Sequence, residues 1–325
     1  MAIVGDELDK RADEAREALR RSGARVGDEN RTSRFELFGA PNSICSQKVR
    51  SVLAFHGFAY RSHDLNLFEG QTYTPEYIRL RMIGCRELGG PLVSQHDGDT
   101  STAAGGCDPA VVPTLLDWQT RKVIVDSKRI CLHLDEQLPD SMRLRPEAIA
   151  LDVDAELTIV DGLPNYQLLM GRQAASSTAH SETEAAAAAF SRRKVAWCDE
   201  SLARHPNDAD LQDAYAAKRS KEASAVAALF TPEAMHAAQG RVDEELQTLE
   251  TKFASRGAPW LLGSSPTMAD LFWGIELIRL KDLGADRMRQ SGRLPSVAVF
   301  LDRIEEIPAI RQAIIDWPGA LLSSR

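Results

Sequence analysis

Ser43 and Cys45 stand two residues apart in the stretch Pro41-Asn42-Ser43-Ile44-Cys45-Ser46-Gln47-Lys48-Val49-Arg50. The alternation of Phe35 and Leu37 before it reads as a strand and the residues after it as a helix, so the stretch is a strand-to-helix turn. The first N–H groups of a helix lack intrahelical partners, and that end of the helix dipole is positive. A thiol placed there is expected to ionise more easily than a free one, which makes Cys45 the candidate nucleophile. Two plainer readings compete. Cys45 also begins the apolar stripe of the helix and suits a small core position, while Ser43 suits a helix N-cap, a role worth about 1 kcal/mol.

Other residue types that carry chemistry are sparse. Pro113 interrupts the strand pattern Val111 to Leu116, and proline inside such a pattern marks an edge, a bulge or a cis bond in a tight bend. Asp126-Ser127 caps the next helix. Lys48 and Arg50 read as a solvated or structural face. The seven histidines form no H-x-x-x-H or His-Cys cluster, so no metal is expected. Neither a P-loop nor a G-x-G-x-x-G is present.

The elements that must position these residues follow from periodicity. Arg34 to Gly39 reads as a strand, and Cys45, Val49, Val52 and Leu53 share one face of a helix that ends at Gly57. Ala59 to Leu67 reads as a second strand, and Pro75 to Ile83 as a short helix. Gly84 to Asp108 is rich in Gly, Ser, Thr and Asp and reads as a long loop. Val111 to Leu116 and Val123 to Val125 form a hairpin, followed by a helix with Ile130, Cys131, Leu134 and Leu138 inward. From Glu147 onward only helical stripes occur. Of these, Glu182 to Val195, Asp210 to Phe230 and Glu233 to Phe253 are Ala-rich and charged, either arms packed against another subunit or a solvated helix pair. Thr267 and Asp270 have the spacing of a capping box before a nearly all-apolar, hence buried, helix.

At 325 residues the chain suits two domains. The expected division is a flexible arm over 1–33 with a marginal helix (Leu8, Ala12, Ala15, Leu19), an α/β domain over 34–138 and an all-α domain over 146–325. A net charge of -8 argues against a nucleic-acid partner. Five scattered cysteines suit a reducing compartment and free thiols. No apolar run approaches the roughly 20 residues of a membrane span, and 1–33 lacks the apolar segment of a signal peptide. No membrane partner and a cytoplasmic location are the expectation.

Taken together, the βαβ unit, the Ser/Cys turn, Val-Pro before a hairpin, Asp-Ser at the next helix and Thr-Met-Ala-Asp in a helical second half resemble a glutathione transferase. The resemblance runs from Arg34 to about Pro318. Ser43 to Arg50 is similar to the zeta-like branch, and most to bacterial reductive dehalogenases of 2,5-dichlorohydroquinone and tetrachlorohydroquinone. Phe35 to Phe38, Cys45 to Arg50, Val111 to Leu115, Asp126 to Lys128, Ala269 to Trp273 and Ile315 to Gly319 look especially like the dichlorohydroquinone group.

The resemblance implies a thioredoxin-like βαβαββα domain followed by the helical domain, with glutathione as cosubstrate and a homodimer. It implies that Ser43 donates to the glutathione sulfur and that Cys45 is the redox thiol attacking a glutathionyl intermediate. Val112, before a cis-Pro113, would pair with the cysteinyl unit, and Asp126 and Ser127 would bind the γ-glutamyl end. The small aromatic substrate would sit between the loop before Val111 and the helix near Leu163 to Met170. The implied reaction is glutathione-dependent reductive dehalogenation of a hydroquinone. A zeta-like transferase or isomerase without net reduction, and a non-catalytic binding module of the same fold, are the alternatives.

Overall fold

The computed structural model describes residues 5–27, 33–96, 98, 105–170, 180–284 and 292–321. Parts of the expected arm (1–4 and 28–32) and of the expected loop (97 and 99–104) lie outside these.

A five-stranded sheet has the order β1-β3-β2-β4-β5, from β1 (Arg25–Val26), β2 (Phe35–Gly39), β3 (Tyr60–Asp64), β4 (Thr114–Asp117) and β5 (Lys122–Val125). Strand β2 is parallel to β3, with Phe35 opposite Tyr60, and antiparallel to β4, with Phe38 opposite Thr114. Helix α2 (Ile44–Phe55) and α4 (Ser127–Asp135) pack on one another, while α1 (Gly5–Arg21) packs against α3 (Pro75–Leu88). Strands β2 to β5 with α2, α3 and α4 make the expected βαβαββα order.

The second half is helical: α5 (Ala150–Asp161), α6 (Asn165–Met170), α7 (His180–Arg204), α8 (Ala209–Ala228), α9 (Pro232–Arg256), α10 (Met268–Asp282) and α11 (Pro295–Glu306), then a turn at Pro308–Ile310 that runs into a π-helical one, Arg311–Ile315. Helix α10 is buried almost along its whole length behind the Thr267/Asp270 capping box, as its apolar sequence requires. It shares one core with α2: Val49, Val52 and Leu53 belong to the same buried cluster as Leu271, Phe272 and Trp273.

Four expectations are corrected. Residues 5–26 are not a mobile arm. Leu8, Ala12, Ala15 and Leu19 are all buried with Tyr77, Leu80 and Ile83, and Arg16 binds Glu36 of β2 at 2.9 Å. Two of the four stripe residues are alanines, and a stripe of Ala and Leu suffices where helices approach closely.

Helix α3 does not stop at Ile83. It passes through Gly84, where a Cβ would come within 2.6 Å of the Val123 carbonyl, so glycine there permits close packing on β5 instead of ending the helix.

Cys85 and Cys107 are not free thiols. The extended helix and the returning loop bring their Cα atoms to 5.6 Å and they form a disulfide. Cys45, Cys131 and Cys198 are free.

Helices α7 and α8 are not simply a solvated pair. Leu211, Ala214 and Tyr215 join the core of α1 and α3, and Tyr215 donates to the Tyr73 carbonyl at 2.6 Å. No helix among the described residues is long and apolar enough to cross a membrane.

Candidate active site

The turn leaving β2 is held by buried side chains from three directions. Arg50 donates to the carbonyls of Ala40 (3.1 Å), Pro41 (2.8 Å) and Ala313 (3.0 Å). Arg279 of α10 donates to the Asn42 carbonyl, and Gln47 bridges Pro41 to Ala320. Ser43 is the N-cap of α2, its hydroxyl oxygen accepting from Ser46 N–H at 3.3 Å. A hydroxyl that accepts in this way retains its own proton for donation. Arg50 is therefore structural and wholly sealed from solvent rather than on a solvated face.

Cys45 is half-buried, and burial pushes its thiol above the ordinary value. The Lys48 ammonium and a hydrogen bond from Ser127 act in the opposite direction, while Asp161 and Asp126 add to the rise. The expectation of an easily ionised thiol is not met: burial is the largest influence on Cys45 and raises its pKa. Lys48, one turn on, is fully buried, 2.7 Å from Asp161 Oδ1 and 4.6 Å from the Phe272 ring centroid. Burial opposes its charge, but Asp161 overrides this and raises its pKa.

The Val112–Pro113 bond is cis. Val112 is buried, yet neither its N–H nor its carbonyl bonds to another described residue, which leaves a strand-like edge for an extended ligand. Asp126 has φ +78°, a conformation rare outside glycine, and its carboxylate accepts from the N–H groups of Lys128 and Arg129 at 3.1 and 3.3 Å. That geometry turns the chain sharply from β5 into α4 and sets Ser127 beside Cys45.

All six residues singled out in the sequence (Ser43, Cys45, Val112, Pro113, Asp126 and Ser127) line a single cavity of about 230 Å³. The loop before Val111 contributes His96 and Asp108 to it, and α6 contributes Tyr166 and Met170. The arrangement can hold an extended peptide edge at one side of a helix N-terminus, with a hydroxyl and a second thiol beside it.

Residues 42–137 match the glutathione S-transferase N-terminal domain and residues 218–314 the glutathione S-transferase C-terminal domain. A 2,5-dichlorohydroquinone reductive dechlorinase of Sphingobium indicum is 32% identical over 289 residues, 88% of this chain and 84% of that protein. The chain belongs to the glutathione S-transferase family. It is an enzyme of that family. This transferase is also 24% identical to ganglioside-induced differentiation-associated protein 1-like 1 of Homo sapiens, over 89% of the chain and 76% of that protein. Among solved structures, the β-etherase LigF from Sphingobium sp. strain SYK-6 superposes with a TM-score of 0.56 at 17% identity, covering 86% of this chain and 98% of that one. Ure2p in complex with S-hexylglutathione gives 0.52 at 16% identity, covering 86% and 98%. These last two concern the fold.

Sequence reading missed the wall of the transferase cavity built by α7 and α8. Lys194, Lys218, Lys221 and Glu222 all face the cavity, and the Tyr166 hydroxyl lies 2.7 Å from that of Ser191. Their signal was present as charged residues inside Ala-rich stripes, but a stripe does not say which surface it will meet. Lys48, read in the sequence as part of a solvated or structural face, is structural: a lysine on a helix is ordinarily solvated, and the Asp161 side chain, far along the chain, is what chiefly makes its burial tolerable.

Proposed function

We propose that this transferase removes a halide reductively from a hydroquinone-type aromatic at the expense of two glutathione molecules. The observation that carries the reading is the convergence of Ser43, Cys45, the Val112 edge and the Asp126–Ser127 helix start on one cavity. Val112 would pair with the cysteinyl unit, and the start of α4 would receive the γ-glutamyl carboxylate. Ser43 would donate to the glutathione sulfur and favour its thiolate.

That thiolate adds to the ring carbon of the keto tautomer and the halide leaves with its bonding electrons, giving a glutathionyl hydroquinone. The Cys45 thiolate then attacks the glutathione sulfur. A sulfur–sulfur bond forms, the carbon–sulfur pair returns to the ring, and the ring carbon takes up a proton. A second glutathione thiolate releases Cys45 by exchange. The balance is one aryl halide and two glutathiones to one reduced ring, one oxidised glutathione, a halide ion and a proton. The 2,5-dichlorohydroquinone reductive dechlorinase, 32% identical, supports the substrate class.

The test is the ratio of oxidised glutathione to dehalogenated ring, with 2,5-dichlorohydroquinone as first probe. One-to-one is the expected result. Turnover without oxidised glutathione would favour a zeta-like isomerase or conjugating transferase, a reading that the raised Cys45 thiol supports. The reading also includes a homodimer, and a light-scattering mass of 35.8 kDa, that of one chain, would contradict it.

A further inference from the structure

The wall formed by α7, α8 and the loop before Val112 carries charges that the reaction above does not use. Lys218 Nζ lies 2.8 Å from Asp108 Oδ2 and 2.9 Å from Glu222 Oε1, and Lys221 Nζ lies 2.9 Å from the same Asp108 oxygen. Lys194 Nζ donates to Glu222 Oε2 at 3.2 Å and to the Tyr166 hydroxyl at 2.9 Å. Arg81, on the same cavity, donates to neutral acceptors: the carbonyls of Asp108 and Pro113 and the Thr114 hydroxyl. Among these residues the wall thus holds three cations against two carboxylates, and Arg81 of α3 adds a fourth cation beside it. Uncompensated charge in a desolvated place is costly, and an anion in the cavity would relieve it. His96, stacked on Tyr166 with centroids 4.5 Å apart, senses the field: burial and the charges of Lys221, Lys218 and Lys194 push it down to about 3.

Lys194 has the closest aromatic surroundings of the three lysines, Lys218 Nζ lying 5.7 Å from the Tyr73 ring centroid. Lys194 Nζ lies 4.5 Å from the Tyr166 ring centroid and 4.9 Å from that of Phe190, and Phe68 packs on Phe190 at 5.5 Å. Phe68, Tyr166 and Phe190 all face the cavity. A flat ring is accommodated by aromatic faces, and an ionised oxygen on that ring would find the ammonium among them. Lys194 also lies in 138–217, between the segments that match the two family domains.

We propose that Lys194, braced by Tyr166 and Glu222, binds an ionised oxygen of the aromatic substrate, so that the transferase selects phenolates over neutral phenols. This rests on the reading of the cavity as a site for a hydroquinone. A phenolate needs only a proton on carbon to become the keto tautomer that thiolate addition requires, so the selection would favour the reactive form.

The probe is 4-nitrophenol, which titrates near neutrality and whose phenolate absorbs at longer wavelength, added to the full-length protein saturated with glutathione. The apparent pKa of the bound probe is expected to fall by about one unit, a tenfold preference for the anion, and 4-nitroanisole, which cannot ionise, should bind more weakly. Lys194→Met should abolish the shift without changing glutathione affinity, and Lys194→Arg should keep it. An unshifted probe on the unaltered protein would overturn the proposal without recourse to any variant. So would a Lys194→Met protein that keeps the shift, or one that loses glutathione affinity instead, which would assign the lysine to the glycyl carboxylate of glutathione. Nitrophenol carries no halide, so the result stands apart from the reaction. A protein that binds nitrophenolate yet never releases halide would sink the reductive reading and leave this one intact.

Discussion

Lys48 and Asp161 form a buried ion pair, Nζ to Oδ1 at 2.7 Å, one helical turn from Cys45. The pair joins α2 of the sheet domain to α5 of the helical half, so the charge nearest the candidate thiol is set by contact between the halves. Breaking one side of such a pair strands a buried charge. Asp161→Asn is expected to cost about 3–5 kcal/mol in urea unfolding, and Lys48→Met with Asp161→Leu together much less. Equal losses for the single and the double variant would count against the pair as the source.

Cys45 should behave as a thiol that is slow to ionise. Because burial holds its pKa above the ordinary value, the thiolate fraction at neutral pH is small and grows as pH rises. Iodoacetamide labelling of Cys45, followed by peptide mass spectrometry, should accelerate across the alkaline range and be slower in Lys48→Met, which loses the favourable ammonium. Rapid labelling at pH 6 would contradict the burial argument.

Replacing Cys45 separates the two halves of the proposed cycle. A Cys45→Ser variant should accumulate glutathionyl hydroquinone, detectable by mass spectrometry, and release no reduced ring. Full production of the reduced ring by this variant would remove Cys45 from the mechanism.

Ser43 serves the helix and, by proposal, the glutathione sulfur. Ser43→Ala should lower stability by about 1 kcal/mol through the lost cap and slow turnover about 100-fold through the lost donor. Ser43→Thr should recover both in part. A loss of stability with normal turnover would reduce Ser43 to a cap.

Acid should release α1 from the sheet. Burial would raise the Glu36 carboxyl, but hydrogen bonding to His63 and the charges of His63 and Arg16 bring it down from 4.5 to about 2. A depressed folded-state value means that its contribution is complete above the ordinary carboxylate range and is lost as pH falls from there toward about 2. Glu36→Gln should therefore destabilise the protein above the ordinary carboxylate range, and the difference from the unaltered chain should shrink as pH falls toward about 2. A pH-independent difference would mean that Glu36 acts by packing alone.

Much of the fold was legible because its signals are local. The 2- and 3.6-residue periodicities of Phe35 to Gly39 and Val49 to Leu53, the Ser43 and Asp126 caps and the Thr267/Asp270 box each depend on residues a few positions apart. The sequence by itself also marked Cys45, the Ser43 and Asp126–Ser127 caps and Pro113 as unusual, while the binding roles of Ser43, Val112, Asp126 and Ser127 came from the resemblance of the whole pattern to a family. What it could not determine was set by contacts between distant segments. Gly84 reads as a breaker until β5 lies against it, and Cys85 and Cys107 read as separate thiols until the loop returns. The Ala-rich stripe of α1 reads as marginal until α3 covers it. The reversal at Cys45 is of the same kind. The helix start favours a thiolate locally, but the state of the sulfur is decided by how much water the packed halves exclude and by where Lys48, Asp161 and Ser127 come to rest. Electrostatics in a buried site depends on distance in space and on dielectric surroundings, and neither is a property of sequence spacing.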